Sequence, residues 1–569
     1  MLIIPVRIVA RMRIGKIPGI NPVVIPITKD TITTSKIQAL KTPINLKATP
    51  PGLMVATFFI PRLRKGMGSD LIKTMNDLTS PSDTQVGLGD MPAEEFRQYG
   101  HQLIDWIADF LANVGNLPAF PNIQPGDVLS KLPGAPPIQG ETMNEILADV
   151  DRVIMPGMAH WNHPRFFAYF TSSGSGPGIL GELLSAAFNV NSMLWHSCPS
   201  ATELEQATND WLRQMVGLPP EFWGIIYDGG SSSTFHAIAA ARDQFAELKI
   251  RERGLAGRSD LPQLRIYTSD QGHSSIDKAA VALGLGLDSV RRIAVDDRYQ
   301  MDPRALDGAI AEDRSNDILP FCVVATVGST SCTSIDPIPA ISSICEREGL
   351  WLHVDAAHGG AAAIVPEMRY VLDGCDRADS IVINPHKWLF VPLDLSVLYT
   401  RKPEVLRRAF SLVPEYLRTA SGDEVVNYMD YGIPLGRRFR ALKLWFTVRY
   451  FGVEGITRRI REHIRLAAQF AEWVDKHTEF ERLAPVPLST ICFRARRQGV
   501  DDDDESLNRL NEQLLQAINH TGEAFLSHTK LSGRFALRLV VSHLRTSEEH
   551  VSRVWAIAQE QLRILKMAP

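Results

Sequence analysis

The chain has 569 residues, 45% apolar and 22% charged, a globular composition long enough for two or three packed domains, so a wholly disordered chain is excluded. No apolar run approaches the roughly 18 to 20 residues of a membrane helix, and six cysteines without a C-x-x-C pair argue against a zinc site or a disulfide scaffold and for a reducing, cytoplasmic setting. The net charge of −4 hides an asymmetry: residues 1–66 hold eleven Lys or Arg and one acid, while the remainder carries −14 and has no electrostatic footprint for nucleic acid. The basic leader, 1–66, is expected to be disordered and to lie outside the folded domains. Residues 67–174 follow as an N-terminal helical segment, in which Phe96, Tyr99, Leu103, Trp106, Ile107 and Phe110 recur at three- and four-residue spacing. That pattern predicts an amphipathic helix whose wide aromatic face needs a partner, such as a second subunit. From 175 to 445, WGIIYDGG, LRIYTSD, ILPFCVVATVG, LWLHVDAAHGG, DSIVINPH and DLSVLYT alternate with helical stretches. Continuous Val/Ile runs of this kind are strands buried on both faces, so this is an α/β domain with a mostly parallel sheet. Residues 446–569 mix both patterns as a smaller α+β C-terminal domain. In it DDDDE at 501–505 reads as a solvated loop, and Thr546 with Glu549 reads as a capping box before a final helix.

Chemistry is expected beyond the carboxyl ends of the strands. Lys387 stands in INPHKWLF, an ammonium among large apolar neighbours; such a lysine snorkels, is salt-bridged, or is kept neutral as a reactive amine. Asp355 ends WLHVD, one βαβ unit upstream, where a carboxylate needs a cation or several donors. YDGGSSSTFH joins a strand to a helix through Gly230 and Ser231, an anion site made of a helix N-terminus and hydroxyls. His273 follows a further strand. A phosphorylated pyridine aldehyde, pyridoxal 5'-phosphate, uses all four: phosphate on the turn, ring nitrogen on Asp355, ring face against His273, and an imine to Lys387.

These stretches, with HPRFFAYF, LWHSCPSATELE, ATVGSTSCTSIDPI, IPLGRRFRALKLWF and FALRLVVSHLRTSEEHV, resemble the pyridoxal-phosphate-dependent group II decarboxylases, in particular the aromatic-L-amino-acid decarboxylase branch. The resemblance covers about residue 90 to the C-terminus. It implies the fold type I, aspartate-aminotransferase-like PLP-dependent transferase fold and a homodimer whose N-terminal segment wraps the partner. It implies that Thr330, Ala357, Asn384 and His386 join Gly230 and Ser231 around the cofactor, and that Trp388 marks the aromatic branch. Tyr169, Phe170, Asn191 and Met193 are implied to line the substrate pocket. The resemblance also places the proton-donating tyrosine of a mobile lid at Tyr428, so that Tyr428→Phe is expected to raise aldehyde, ammonia and peroxide at the expense of amine. The implied reaction is decarboxylation of a Trp-, Tyr-, Phe- or DOPA-type L-amino acid to its amine. Aldehyde synthesis, or decarboxylation of histidine or glutamate, stands as the alternative.

Overall fold

A computed structural model describes residues 89–412, 424–496 and 503–567, together with four strands in the leader. Those are β1 (Arg7–Arg13), β2 (Val24–Pro26), β3 (Asn45–Ala48) and β4 (Leu53–Phe59), in the order β2-β1-β4-β3. The rest of the leader, expected to be disordered, lies outside the described residues. The chain divides into two compact units, Met1–Gly100 and His101–Pro569.

In the second unit a seven-stranded sheet holds the order β5-β11-β10-β9-β8-β6-β7. Its strands are β5 (Trp223–Tyr227), β6 (Leu264–Ser269), β7 (Val290–Ile293), β8 (Leu319–Thr326), β9 (Trp351–Asp355), β10 (Ser380–Ile383) and β11 (Ser396–Thr400). Neighbours from β10 through β7 are parallel, and only β11 runs against both β10 and β5. Nearly every residue of β8 through β11 is buried, as continuous apolar strands covered on both faces must be. Among the polar exceptions, Ser380 Oγ meets both Trp351 Nε1 and His353 Nδ1 at 2.9 Å. Register aligns Thr326 with Asp355 and Asp355 with Val382, so β8, β9 and β10 end level at one edge. Because β11 is antiparallel, its first residue, Ser396, pairs with Tyr227 and reaches that same edge.

A second, antiparallel sheet, β12-β13-β15-β14, is built from β12 (Phe480–Arg482), β13 (Thr490–Ala495), β14 (Ser527–Leu531) and β15 (Arg534–Val540). The helices Asp504–His520 and Glu548–Met567 pack with it. The expected boundary at 445/446 falls inside the 36-residue helix Ala441–Lys476. Leu444, Ile456 and Ile460 of this helix belong to the large sheet's core, whereas Leu466, Phe470 and Val474 belong to the small one's. The helix turns at Gly452 (φ 63°, ψ 168°), a conformation open essentially to glycine alone.

Two local readings change and one holds. Asp503 caps the helix Asp504–His520 by accepting from Ser506 N at 2.6 Å, so the described part of the acidic run is a helix start, where negative charge opposes the N-terminal dipole; Asp501 and Asp502 lie outside the described residues. Thr546 donates its hydroxyl to Pro164 O at 2.7 Å rather than capping the last helix. The aromatic helix forms at Ala93–Asn113 and buries none of its residues within the chain. Among the described residues no helix is long and apolar enough to cross a membrane.

Candidate active site

A cavity of about 470 Å3 opens at the level edge of the large sheet. Lys387, Asp355, His273, Gly230, Ser231, Thr330, Ala357, Asn384, His386 and Phe170 all line it, so ten residues from six separate stretches of sequence meet in one place. Lys387 lies on the short helix Pro385–Trp388 that follows β10, and Asp355 is the last residue of the neighbouring β9. Burial pushes the Lys387 amine below the ordinary lysine value; the Asp355 carboxylate opposes that shift, and the Arg538 guanidinium adds to it. The Lys387 ammonium position faces the Phe170 ring, with Nζ 5.1 Å from its centroid. Among the described residues no carboxylate pairs with it directly, which rules out a structural ion pair as its reason for being there.

The anion end is built by the helix Gly230–Asp243, whose first amides point out of the helix unpaired by its own carbonyls. A methyl group on Gly230 would stand 2.8 Å from Asn384 Nδ2, so only glycine lets the asparagine amide approach this turn. Ser396 fixes that asparagine by donating to its Oδ1 at 2.6 Å while meeting Ser233 Oγ at 2.7 Å, which ties helix, turn and β11 together. Leu395 N donates to His386 Nδ1 at 2.9 Å, leaving Nε2 to carry the proton. Burial and the nearby Lys387 hold His386 down to about 3, so its imidazole is neutral. His273 receives Ser275 N on Nδ1 at 3.1 Å and keeps an exposed ring at the cavity mouth; burial lowers its affinity for a proton and Asp355 raises it. Ala357 N donates to Asp355 Oδ1 at 3.1 Å, holding the carboxylate at the strand end. Amides and neutral donors for a dianion, an acid for a ring nitrogen and a poised amine together fit pyridoxal phosphate. An unpartnered Thr326 hydroxyl on the cavity wall adds a further polar group for it.

The geometry agrees with comparison. Residues 125–496 match the pyridoxal-dependent decarboxylase conserved domain, about two thirds of the chain. The chain belongs to this decarboxylase family. It is 40% identical over 489 residues to tyrosine decarboxylase 2 of Arabidopsis thaliana, covering 84% of this chain and 88% of that one. It is 38% identical over 485 residues to phenylacetaldehyde synthase of the same plant, covering 84% and 97%. Among solved structures, Oryza sativa TDC with PLP and tryptamine superposes with a TM-score of 0.80 at 34% identity, covering 84% of this chain and 99% of that one.

Four expected site residues of this decarboxylase lie elsewhere. Tyr169 turns outward at φ 54°, is 52% exposed and stacks on Trp161 at 5.7 Å. Asn191 and Met193 sit against the segment that carries Tyr428, through Arg437 N to Asn191 Oδ1 at 2.9 Å and Met429 N to Met193 O at 2.9 Å. Tyr428 itself is 1% exposed, packed near Trp223 and Arg437, and its hydroxyl has no hydrogen-bond partner. It does not line the Lys387 cavity, because the apolar core behind β5 has taken its ring. Trp388 is also fully buried, donating Nε1 to His463 Nδ1 at 3.0 Å, and does not face the cavity.

Sequence reading missed two groups of the site, one stacked on the cavity residue Phe170 and one on the cavity wall. Arg538, on β15, is 3% exposed; it donates to Ser331 O at 3.1 Å and Tyr169 O at 2.6 Å, stacks over Phe170 at 4.7 Å, and leaves Nη2 unpartnered. Burial lowers it to about 10. The clue was there in FALRLVV, a cation in an apolar strand, the same oddity that singled out Lys387. His358, in the glycine- and alanine-rich stretch after Asp355, lines the wall as well.

Proposed function

We propose that this chain decarboxylates an aromatic L-amino acid to its amine and carbon dioxide, using pyridoxal 5'-phosphate. The carrying observation is a buried lysine amine without a direct ion-pair partner in one cavity with Asp355 and an anion-binding helix start. When bound, the cofactor supplies an electron-poor ring that accepts the electrons of the breaking bond to the carboxylate. Lys387, whose affinity for a proton is lowered by burial, would hold the cofactor covalently. Asp355 would keep a proton on the ring nitrogen, His273 would cover the ring face, and Gly230, Ser231, Asn384 and the neutral His386 would hold the phosphate, with Thr330 and Ala357 beside it. Arg538, a buried cation whose Nη2 has no partner, provides the charge to orient the substrate carboxylate. Phe170 gives the wall for an aromatic side chain, and the relatives named for tyrosine decarboxylation and phenylacetaldehyde synthesis support that substrate class.

The second half of the site comes, in this reading, from another subunit. Asn191 and Met193 lie apart from their own chain's Lys387, the helix Gly176–Phe188 leaves Leu180, Leu183, Leu184 and Phe188 exposed, and the helix Ala93–Asn113 buries none of its residues. Apolar faces of this size mark an interface, and sedimentation is expected to give a homodimer at micromolar concentration; a monomer that still turns over would remove the shared site. All six cysteines are free, in keeping with a reducing, cytoplasmic location.

A panel of L-amino acids, assayed together for carbon dioxide, amine, ammonia and peroxide, tests the function. The expected outcome is equal amine and carbon dioxide from one or more aromatic substrates. Carbon dioxide with ammonia and peroxide instead would make the enzyme an aldehyde synthase, and no carbon dioxide from any aromatic substrate would overturn the reading.

A further inference from the structure

His358 is 1% exposed, and neither ring nitrogen has a hydrogen-bond partner. Leaving a buried polar group unpaired costs about 1–3 kcal/mol, so an imidazole here needs a reason that hydrogen bonding does not give. Its faces supply one. The ring lies between Phe170, at 3.9 Å and 11°, and Trp388, at 4.7 Å and 2°, as the middle of a three-ring stack. The far end of the stack is anchored, because Trp388 Nε1 donates to His463 Nδ1. The near end is the ring that faces both site cations, Lys387 Nζ at 5.1 Å and Arg538 Cζ at 4.7 Å. One phenyl ring is thus the shared neighbour of the amine and the guanidinium, and where it stands decides what each of them meets.

We propose that His358 is a positioning residue for the decarboxylation: clamped on Trp388, it holds Phe170 against the Lys387 amine and the Arg538 guanidinium, keeping the amine in its apolar setting and the guanidinium placed for an incoming carboxylate. A flat five-membered ring fills the slot between the phenyl and the indole. It also stays neutral there, since burial, then Lys387, Arg538 and His463, all disfavour its protonated form, and a third cation at this point would push Phe170's other neighbours apart. The inference rests on the decarboxylase reading for its kinetic consequence but not for its geometry.

Two substitutions in the full chain separate positioning from simple packing. His358→Ala removes the middle of the stack, and His358→Phe keeps an aromatic ring there without nitrogens. In the cofactor-loaded enzyme, His358→Ala is expected to raise KM for the aromatic substrate about tenfold while kcat changes less than about threefold, and His358→Phe to recover most of that loss. In the cofactor-free protein, the pH midpoint for acylation of Lys387, followed by peptide mass spectrometry, should rise in His358→Ala toward that of an exposed lysine and return in His358→Phe. Folded His358→Ala with unchanged KM and unchanged midpoint overturns the proposal. So does a His358→Phe variant as impaired as the alanine one, which would give the role to the nitrogens. If His358→Ala does not fold, Phe170→Leu takes its place under the same two measurements, and an unmoved midpoint there counts equally against the proposal. Because the midpoint needs neither cofactor nor substrate, it stands or falls separately from the decarboxylase activity.

Discussion

Lys387 and Arg538 pose the same problem, a cation held away from water, and the site answers it with Phe170 rather than with a carboxylate in contact. Arg538 also holds Tyr169 O and Ser331 O, a forked geometry that an ammonium cannot copy. Arg538→Lys is therefore expected to raise KM about tenfold or more with a smaller loss in kcat, and steady-state kinetics showing an unchanged KM would remove Arg538 from carboxylate binding. At Tyr428 the expectation from sequence is reversed. Its hydroxyl is buried and unpartnered, so Tyr428→Phe should leave the ratio of amine to aldehyde unchanged and should not lower the melting temperature. Tyr416, in the same stretch of sequence but outside the described residues, is the tyrosine to compare: if a tyrosine of this stretch donates the proton, Tyr416→Phe shifts product from amine to aldehyde, ammonia and peroxide in the same assay. Lys387 was legible because the oddity that marks it, an ammonium inside an apolar run, is written in adjacent residues. Arg538 and Tyr428 were not, since the partners that define them come from Tyr169, Ser331, Trp223 and Arg437, far away along the chain.

The elements that carry the site were the more readable part. A continuous apolar strand states its own burial, and a strand ending in Asp or in Asn-Pro-His-Lys states where the chemistry stands; β9 and β10 did both. The turn from β5 into the helix Gly230–Asp243 was legible as an anion site, whereas the contact that makes its glycine necessary, with Asn384, depends on the pairing of β5 and β10 through β11. Gly230→Ala is expected to weaken retention of pyridoxal phosphate by roughly tenfold or more in equilibrium dialysis, with little change in the melting temperature of the cofactor-free protein. Equal retention would show that Asn384 can move aside at no cost. The helix Ala441–Lys476 could not be divided correctly from sequence, because a helix that serves two cores has an apolar stripe with no gap at the boundary. Gly452→Ala should destabilise the fold by about 1–3 kcal/mol, seen as a lower denaturant midpoint, since the alanine cannot adopt the observed φ and ψ without strain.

At the scale of the molecule, buried histidines set the response to acid. His163, His236, His353 and His463 are each held down to about 4, chiefly by burial, against 6.5 when free. Between those values the unfolded chain binds protons that the folded chain refuses, so stability falls as pH drops from about 6.5 towards 4. Asp336, raised to about 6 by burial, works in the opposite direction over part of this range, but it is one group against four. Chemical denaturation at a series of pH values should thus show the midpoint declining below about pH 6.5, and a flat profile down to pH 4 would contradict the burial of these rings. The site, too, is a property of the whole chain, for the cofactor cradle lies on the large sheet and Arg538 on the last strand of the small one. Synthesis runs from one end to the other. A growing chain thus acquires its phosphate turn, its carboxylate and its lysine well before the guanidinium that is to receive the substrate, and a product truncated ahead of β15 would carry a place for the cofactor with nothing to steer an amino acid onto it.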